Sequence, residues 1–302
     1  MSKFYTSVIQ LGNNILYRSY NNGRQSREKI QFEPVLFVKG KKKATHKTLW
    51  GDSVEEIKFE SISEAKDFVK KYEDVEGFEI SGMQQYAYQF IAAEYPDEIQ
   101  YDASQMAIWT IDIECASENG FPDPHTASEQ ILLISMKDKS SGKNIVWGFK
   151  DYSKDKSDTF EYRQYKDEYT MLKEFNLYWQ ANYPDIVTGW NIDGFDIPYI
   201  INRMNRVLGE DMTKKLSPWN YVNSRDIVIM GKNKTVWDIV GVNIVDYLDL
   251  YRKFTYSAQE SYTLDYIASS ELGVAKHDIE GSFRDAYTYH WDKFVRYNAH
   301  DT

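Results

Sequence analysis

Three segments carry acidic side chains in patterns that can converge on one site: Asp112-Ile113-Glu114, Asn191-Ile192-Asp193-Gly194-Phe195-Asp196 and Tyr297-Asn298-Ala299-His300-Asp301. Hydrolysis of a phosphodiester needs a nucleophilic water, a stabilised leaving alkoxide and neutralised phosphoryl oxygens. Two divalent ions roughly 3.5–4 Å apart supply all three. Magnesium and manganese prefer hard oxygen ligands, so such a site is built from Asp and Glu. In an extended strand the period of two places Asp112 and Glu114 on one face. Alone, that pattern is weak, because strand ends are commonly hydrophilic. Asp196 stands where a helix begins and also reads as an N-cap, a role compatible with metal ligation. Asp193, beside Gly194, is better explained by the chemistry of a tight turn. Tyr297 and Asp301 are four residues apart and share a helix face, which lets the phenol orient a water beside the carboxylate. His300 is turned about 100° away from Asp301 and reads as an exposed or partly packed imidazole.

Placing these side chains requires particular elements. Residues 107–113, 131–136 and 144–149 read as apolar strands. Tyr169, Leu172, Phe175, Tyr178 and Trp179 recur at helical spacing, and residues 185–190 form a further strand. Pro198 then opens a helix at its first position and Gly209 closes it. Residues 226–230 and 235–240 read as a β-hairpin whose tip is Gly231-Lys232-Asn233-Lys234. A final helix spans roughly 284–301. Ahead of these, residues 4–11, 14–20 and 34–39 read as strands, with Asn13-Asn14 and Asn21-Asn22-Gly23 as turns. A helix starts at Ser61, where Ser61 and Glu64 form a capping box, and Gly77 follows as a stop. The expected organisation is a small β-rich domain over 1–105 and a second domain over 106–302, in which helices pack on a mixed sheet.

Bulk properties narrow the function. A net charge of −10 over 302 residues argues against coating DNA by bulk electrostatics. It is compatible with a carboxylate site that is negative until cations fill it. The 24 Tyr and 8 Trp are read mainly as core rings, with a minority as base-stacking platforms. The single cysteine, Cys115, excludes an internal disulfide and reads as a buried, inert thiol in a reducing compartment. Neither a signal peptide nor a membrane span is legible, so a cytoplasmic location is expected. Lys39, Lys41, Lys42, Lys43 and Lys47 form a basic cluster that reads either as a solvated loop or as a contact for nucleic-acid phosphates.

Thr110-Ile111-Asp112-Ile113-Glu114, the run Gly189-Trp190-Asn191-Ile192-Asp193-Gly194-Phe195-Asp196-Ile197-Pro198-Tyr199-Ile200, and Tyr297-x-x-x-Asp301 resemble the three exonuclease motifs of family B DNA polymerases. Asp246-Tyr247-Leu248-Asp249-Leu250-Tyr251 narrows the resemblance to the replicative polymerases of T-even-type bacteriophages. The likeness is strong after Ala107 and looser before it. It implies an α/β (α+β) RNase H-like exonuclease domain, and a 3′→5′ proofreading activity on single-stranded or frayed primer-template DNA in an infected bacterial host. It further implies that Asp112, Glu114, Asp196 and Asp301 hold two Mg²⁺ or Mn²⁺ ions and that Tyr297 positions the attacking water. The His-containing subclass would carry His where Arg296 stands. Phe121 is similar to the residue that stacks on the frayed primer terminus, Lys276 to a lysine near the scissile phosphate, and the hairpin at Gly231, Lys232 and Lys234 to one that separates primer from template. The segment between Phe149 and Tyr169 is shorter than in the best-known relatives. No polymerase-domain motif is present, so a C-terminal region or a second chain is expected to carry that site. The competing expectation is a nucleic-acid-binding or scaffold fragment with little activity alone, its N-terminal domain binding RNA as in some relatives.

Overall fold

Alternating apolar residues in the first strand of the second domain decide which face of its sheet is core and which carries the acids. A computed structural model describes residues 2–40, 44–229, 232–273 and 281–302. The chain divides into two compact units, Met1–Gln105 and Met106–Thr302.

In the first unit, β1 (Lys3–Leu11), β2 (Asn14–Asn21) and β3 (Arg24–Gln31) form an antiparallel meander. β3 escapes a hydrophobicity reading because it is a charged edge strand, Arg-Gln-Ser-Arg-Glu-Lys-Ile-Gln. Exposed charge of that kind blunts an open sheet edge. A second sheet takes β4 (Val35–Lys39), β5 (His46–Lys47), β6 (Ser53–Lys58) and, beyond helix α1 (Ile62–Tyr72), β7 (Ile80–Ser81), in the order β5-β6-β4-β7. The Ser61 hydroxyl caps α1 by accepting the Glu64 N–H at 3.2 Å. The reciprocal half of the capping box is displaced: the Glu64 carboxylate accepts the N–H of Glu60, at 2.8 Å, instead of that of Ser61. The core joins Ile15, Tyr17, Leu36, Phe59, Ile62 and Ala65 to Tyr86 and Phe90 of helix α2 (Tyr86–Glu94).

The second unit is organised on a six-stranded sheet. Its strands are β8 (Ile108–Cys115), β9 (Ile131–Asp138), β10 (Asn144–Gly148), β11 (Glu161–Gln164), β12 (Ile186–Gly189) and, after β13 (Val222–Ile229) and β14 (Lys232–Ile239), β15 (Asn243–Asp246). The order is β11-β10-β9-β8-β12-β15, with β9 antiparallel to both neighbours and the other pairs parallel. Helices α3 (Glu168–Asn182), α4 (Asp196–Val207), α5 (Glu210–Thr213), α6 (Tyr247–Phe254), α7 (Leu264–Leu272), α8 (Phe283–Tyr289) and α9 (Trp291–His300) complete it.

Trp109, Ile111, Ile113 and Cys115 of β8 enter a core with Leu172 and Phe175 of α3 and Ile200 and Met204 of α4. Alternation therefore turns Thr110, Asp112 and Glu114 to the opposite face, where Phe294, Val295 and Ala299 of α9 pack with Leu133 and Val146. Inside the unit, Glu168 and Arg203 form a buried ion pair at 2.7 Å. Arg203 also donates to the carbonyls of Ala127 and Ser128, which ties the loop after β8 to α4. β13 and β14 pair as a separate antiparallel hairpin with Ile229 opposite Lys232. The strands are thus longer than the sequence suggests, and Lys232 and Lys234 belong to β14 and not to the tip.

Two helix boundaries also differ from expectation. α4 begins at Asp196, so Pro198 is its third residue; a missing N–H is harmless there because the first four N–H groups of a helix have no intrahelical partner. The expected terminal helix is two, broken at His290, whose backbone (φ −127°, ψ 44°) is the C-cap of α8 and the N-cap of α9. No described helix is long and apolar enough to cross a membrane.

Candidate active site

Asp112 and Glu114 lie on the central strand β8, and a register shift against β9 falls between Glu114 and Cys115. Such an irregularity bends the strand and re-aims the side chain beside it. Asp301 arrives from the end of α9. Asp112, Glu114 and Asp301 each offer a carboxylate oxygen, and these oxygens lie within 4.8 Å of one another. Asp196 lies outside that trio but close enough that its charge acts on Asp112. It is buried, and its Oδ1 accepts the N–H of Ile113, the residue between the two β8 acids, at 3.1 Å. Asp196 is the first residue of α4 and not its cap; the N-cap is Phe195, which makes no side-chain capping bond.

Electrostatics shows what this arrangement lacks. Burial, then the charges of Asp196, Glu114 and Asp301, push the Asp112 carboxyl well above the ordinary carboxylate range, and a hydrogen bond from Asn298 opposes them. Burial pushes Asp196 up to about 7, with Asp246 adding to it, against the backbone N–H groups of Ile113 and of Asp196 itself. Like charges packed this closely cannot all ionise unless cations are added. Hard oxygen donors, burial and concentrated negative charge suit divalent metal.

The turn before Asp196 is set by Asn191 and Asp246. Asn191 takes the left-handed conformation (φ +61°), and its carbonyl accepts from the N–H of Gly194 at 3.0 Å and of Phe195 at 3.1 Å. At Gly194 an added Cβ would stand 2.5 Å from the Asn191 side-chain oxygen, so that side chain would have to shift. Gly189 is constrained, because its Cβ would stand 2.6 Å from the Ile111 carbonyl on β8. Asp246 is buried, and its carboxylate accepts from the N–H groups of Asn191 (3.0 Å), Asp193 (3.2 Å) and Leu248 (2.9 Å). One side chain therefore caps α6 and holds the turn that delivers Asp196.

Tyr297 is half-buried, and its ring lies parallel to that of Phe294 with centroids 6.5 Å apart. The N–H of Asp301 reaches the Tyr297 carbonyl at 3.3 Å, so the helical turn persists through Asp301 and keeps both side chains on one face. His300 is exposed. Arg296 is engaged elsewhere: its Nε donates to Asp158 Oδ1 at 3.0 Å and its guanidinium lies over the Tyr152 ring. Phe121, in the loop after β8, is 86% exposed, its ring 5.6 Å from that of Phe195 at the head of α4. That loop is anchored through Glu118, which accepts from the Tyr287 hydroxyl at 2.8 Å and pairs with Arg284 at 2.5 Å. Burial pushes the Cys115 thiol well up, which suits an inert core residue.

Lys276, Gly231 and Lys41–Lys43 lie outside the described residues, as do the side chains of Lys232 and Lys234. Lys39 and Lys47 are exposed on β4 and β5. Sequence reasoning missed Asn298, which is fully buried and donates to Asp112, and Ser135, whose hydroxyl reaches the Asn298 carbonyl. Asn298 carries a faint signal, because it continues the buried face of Trp291, Phe294 and Val295. It also passed over a second acidic cluster, Asp193, Asp246 and Asp249, whose oxygens lie within 4.8 Å of one another.

A mixed sheet with acids on its central strand and helices packed on both faces is the architecture of an RNase H-like nuclease domain. The family model for the exonuclease domain of family B DNA polymerases matches residues 84–267, and the chain belongs to that family. It is similar along its whole length to the DNA-directed DNA polymerases of Enterobacteria phage T4, at 31% identity, and Escherichia phage RB69, at 29%. It spans 36% of the length of each. A DNA polymerase catalytic subunit of Human herpesvirus 6A is 28% identical over 34% of this chain and 11% of that protein. The family match ends before Tyr297 and Asp301, whereas the alignments to the two phage polymerases include them.

Proposed function

We propose that the chain is the 3′→5′ proofreading exonuclease part of a phage replicative DNA polymerase, hydrolysing terminal phosphodiesters of single-stranded or frayed DNA in the cytoplasm of an infected bacterium. The observation that carries this reading is the meeting of Asp112, Glu114 and Asp301, from two remote segments, with a buried Asp196 bonded to the backbone between the first two.

Asp112, Glu114, Asp196 and Asp301 would hold two Mg²⁺ or Mn²⁺ ions. Such ions, when bound, lower the pKa of an attacking water and neutralise charge on the phosphoryl oxygens. The protein's own work is to keep four acids in place, which the Ile113 N–H and the rigid turn at Asn191 do for Asp196. The Tyr297 hydroxyl, on the same helix face as Asp301, orients the water. Phe121, exposed beside Phe195, offers its ring to the terminal base; stacking of this kind is worth about 1–3 kcal/mol per base. By the family resemblance, Lys276 approaches the scissile phosphate and the β13–β14 hairpin, with Gly231, Lys232 and Lys234, holds the strands apart. Nucleotide incorporation is assigned to a polymerase region outside this chain, since the relatives are nearly three times as long.

The test is shortening of a 5′-labelled single strand in Mg²⁺. The wild-type chain should produce a ladder receding from the 3′ end, and Asp112→Ala with Glu114→Ala should abolish it. Trimming that survives the double substitution, or that persists in EDTA, sinks the assignment.

A further inference from the structure

A buried amide stands against the first of the acids. Asn298 is fully buried on α9, and its Nδ2 donates to Asp112 Oδ2 at 2.7 Å. Its own Oδ1 is buried and has no hydrogen-bond partner among the described residues. A carboxylate that binds a cation is an acceptor only, so an amide that serves it turns its NH₂ toward Asp112, as here, and leaves the carbonyl end stranded. Stranded buried acceptors are rare, and one in a well-packed helix face calls for a reason. A leucine at this position would fill similar space without that loss.

The backbone of the same residue is fixed to the same strand. The Ser135 hydroxyl, on β9 directly opposite Asp112, lies 3.0 Å from the Asn298 carbonyl and 3.3 Å from the Asp112 carbonyl. With a single proton to give, Ser135 favours the nearer carbonyl and sits between the two peptides. Side chain and backbone of Asn298 thus both locate α9 against Asp112, one turn before Asp301.

We infer that Asn298 is a positioning residue for cation binding: its amide occupies Oδ2 of Asp112 and leaves Oδ1 as the oxygen that Asp112 contributes to an ion shared with Glu114 and Asp301. The inference rests on the metal-dependent reading above. It predicts that losing the amide weakens ion binding without weakening the fold, by the roughly 10–100-fold that partners of metal ligands typically contribute.

The probe is Mn²⁺ alone, titrated calorimetrically into the full chain without DNA. Asn298→Leu should bind Mn²⁺ about 10–100-fold more weakly, with a thermal midpoint in EDTA equal to or above that of wild type. Its kcat for single-strand trimming should fall while KM stays within about twofold, the pattern of a group that acts on the reacting ions and not on DNA binding. Asn298→Ser, which removes the amide without adding bulk, should lose affinity in the same way and serves if the leucine variant does not fold. On an Asp112→Ala background, Asn298→Leu should cost no further Mn²⁺ affinity, because its partner is gone. Wild-type affinity in both single variants overturns the inference, as does an undiminished loss on the Asp112→Ala background. Failure of the wild-type chain itself to bind Mn²⁺ overturns the metal reading, and this inference with it.

Discussion

Two acidic clusters in the second unit look alike by distance and differ in what their oxygens are doing. Asp112, Glu114 and Asp301 form one, Asp193, Asp246 and Asp249 the other, each with carboxylate oxygens within 4.8 Å of one another. In the second cluster Asp246 is spent on the backbone: it caps α6 and accepts from two N–H groups of the turn before Asp196. Asp249 is exposed in the first turn of α6, where the helix dipole favours a negative charge. In the first cluster the Asp112 carboxylate takes one hydrogen bond, from Asn298, and burial with its acidic neighbours drives its ionisation up. Proximity of carboxylates therefore does not mark a cation site. The two central acids differ in compensation: Asp246 accepts from three backbone N–H groups, and Asp112 from the side-chain amide of Asn298.

The largest effect should separate the clusters outright. Asp301→Ala is expected to lower single-strand trimming by at least about 100-fold, the upper end of what even the outer partners of metal ligands contribute. Asp249→Ala should leave the rate within about twofold, as befits an exposed side chain away from the first cluster. Comparable losses in a gel-based trimming assay would erase the distinction. Next in size is the cost of removing the spent acid. Asp246→Ala leaves three N–H groups without their acceptor, and each buried unsatisfied donor costs about 1–3 kcal/mol. Urea unfolding should show a loss on the order of 3 kcal/mol, with reduced activity as the turn that carries Asp196 loosens. A variant as stable as wild type would show that water replaces the carboxylate there, and that Asp246 is less structural than its bonds suggest.

This difference explains how far the sequence could be read. The convergence of Asp301 on Asp112 and Glu114 is what the family resemblance implies, whereas the strand–helix alternation of the second unit, the shared face of Asp112 and Glu114, and the helical turn linking Tyr297 to Asp301 follow from periods of two and 3.6. Those are local properties. What stayed hidden depends on tertiary neighbours. β3 and β11 are polar or short, and pairing alone makes them strands. Proline's preference for a first position puts the head of α4 at Pro198, whereas the turn held by Asp246 starts the helix two residues earlier, at Asp196. Asn298 was invisible as a partner because the residue that gives it meaning, Asp112, lies 186 positions away in the chain. The left-handed residue of the turn is Asn191 and not Gly194, a conformation that asparagine adopts more readily than most other non-glycine residues.

The neighbourhood of the first cluster should also respond to pH in the absence of divalent ions. Asp196 is raised from 3.8 to about 7 and Asp112 is raised with it, mainly by burial. A carboxyl whose folded pKa exceeds its unfolded one favours the folded state in its protonated form. Its contribution is complete below about pH 4 and disappears as pH rises through about 7. Many other acids of the chain titrate too, so the informative quantity is a difference. The thermal midpoint of Asp112→Asn minus that of wild type, in EDTA, should grow more positive from pH 4 to pH 7, and saturating Mg²⁺ should cancel or reverse it. A flat difference would mean that the first cluster is already compensated within the protein.

The smallest predicted effect is the most demanding check on the second cluster. Asp249→Asn removes a charge that the α6 dipole favours, a loss of about 0.3–1 kcal/mol at an exposed helix start. It also relieves repulsion with Asp193 and Asp246, whose oxygens lie within 4.8 Å. The two terms oppose each other, so urea unfolding should place the variant within about 0.5 kcal/mol of wild type, the usual range for surface changes. Calorimetric Mn²⁺ stoichiometry should be the same for both proteins, because a cluster whose central carboxylate already accepts three backbone donors has little charge left to offer an ion. A stoichiometry that drops in Asp249→Asn would mean that a cation competes successfully with those donors, and charge compensation by the backbone would no longer separate the two clusters.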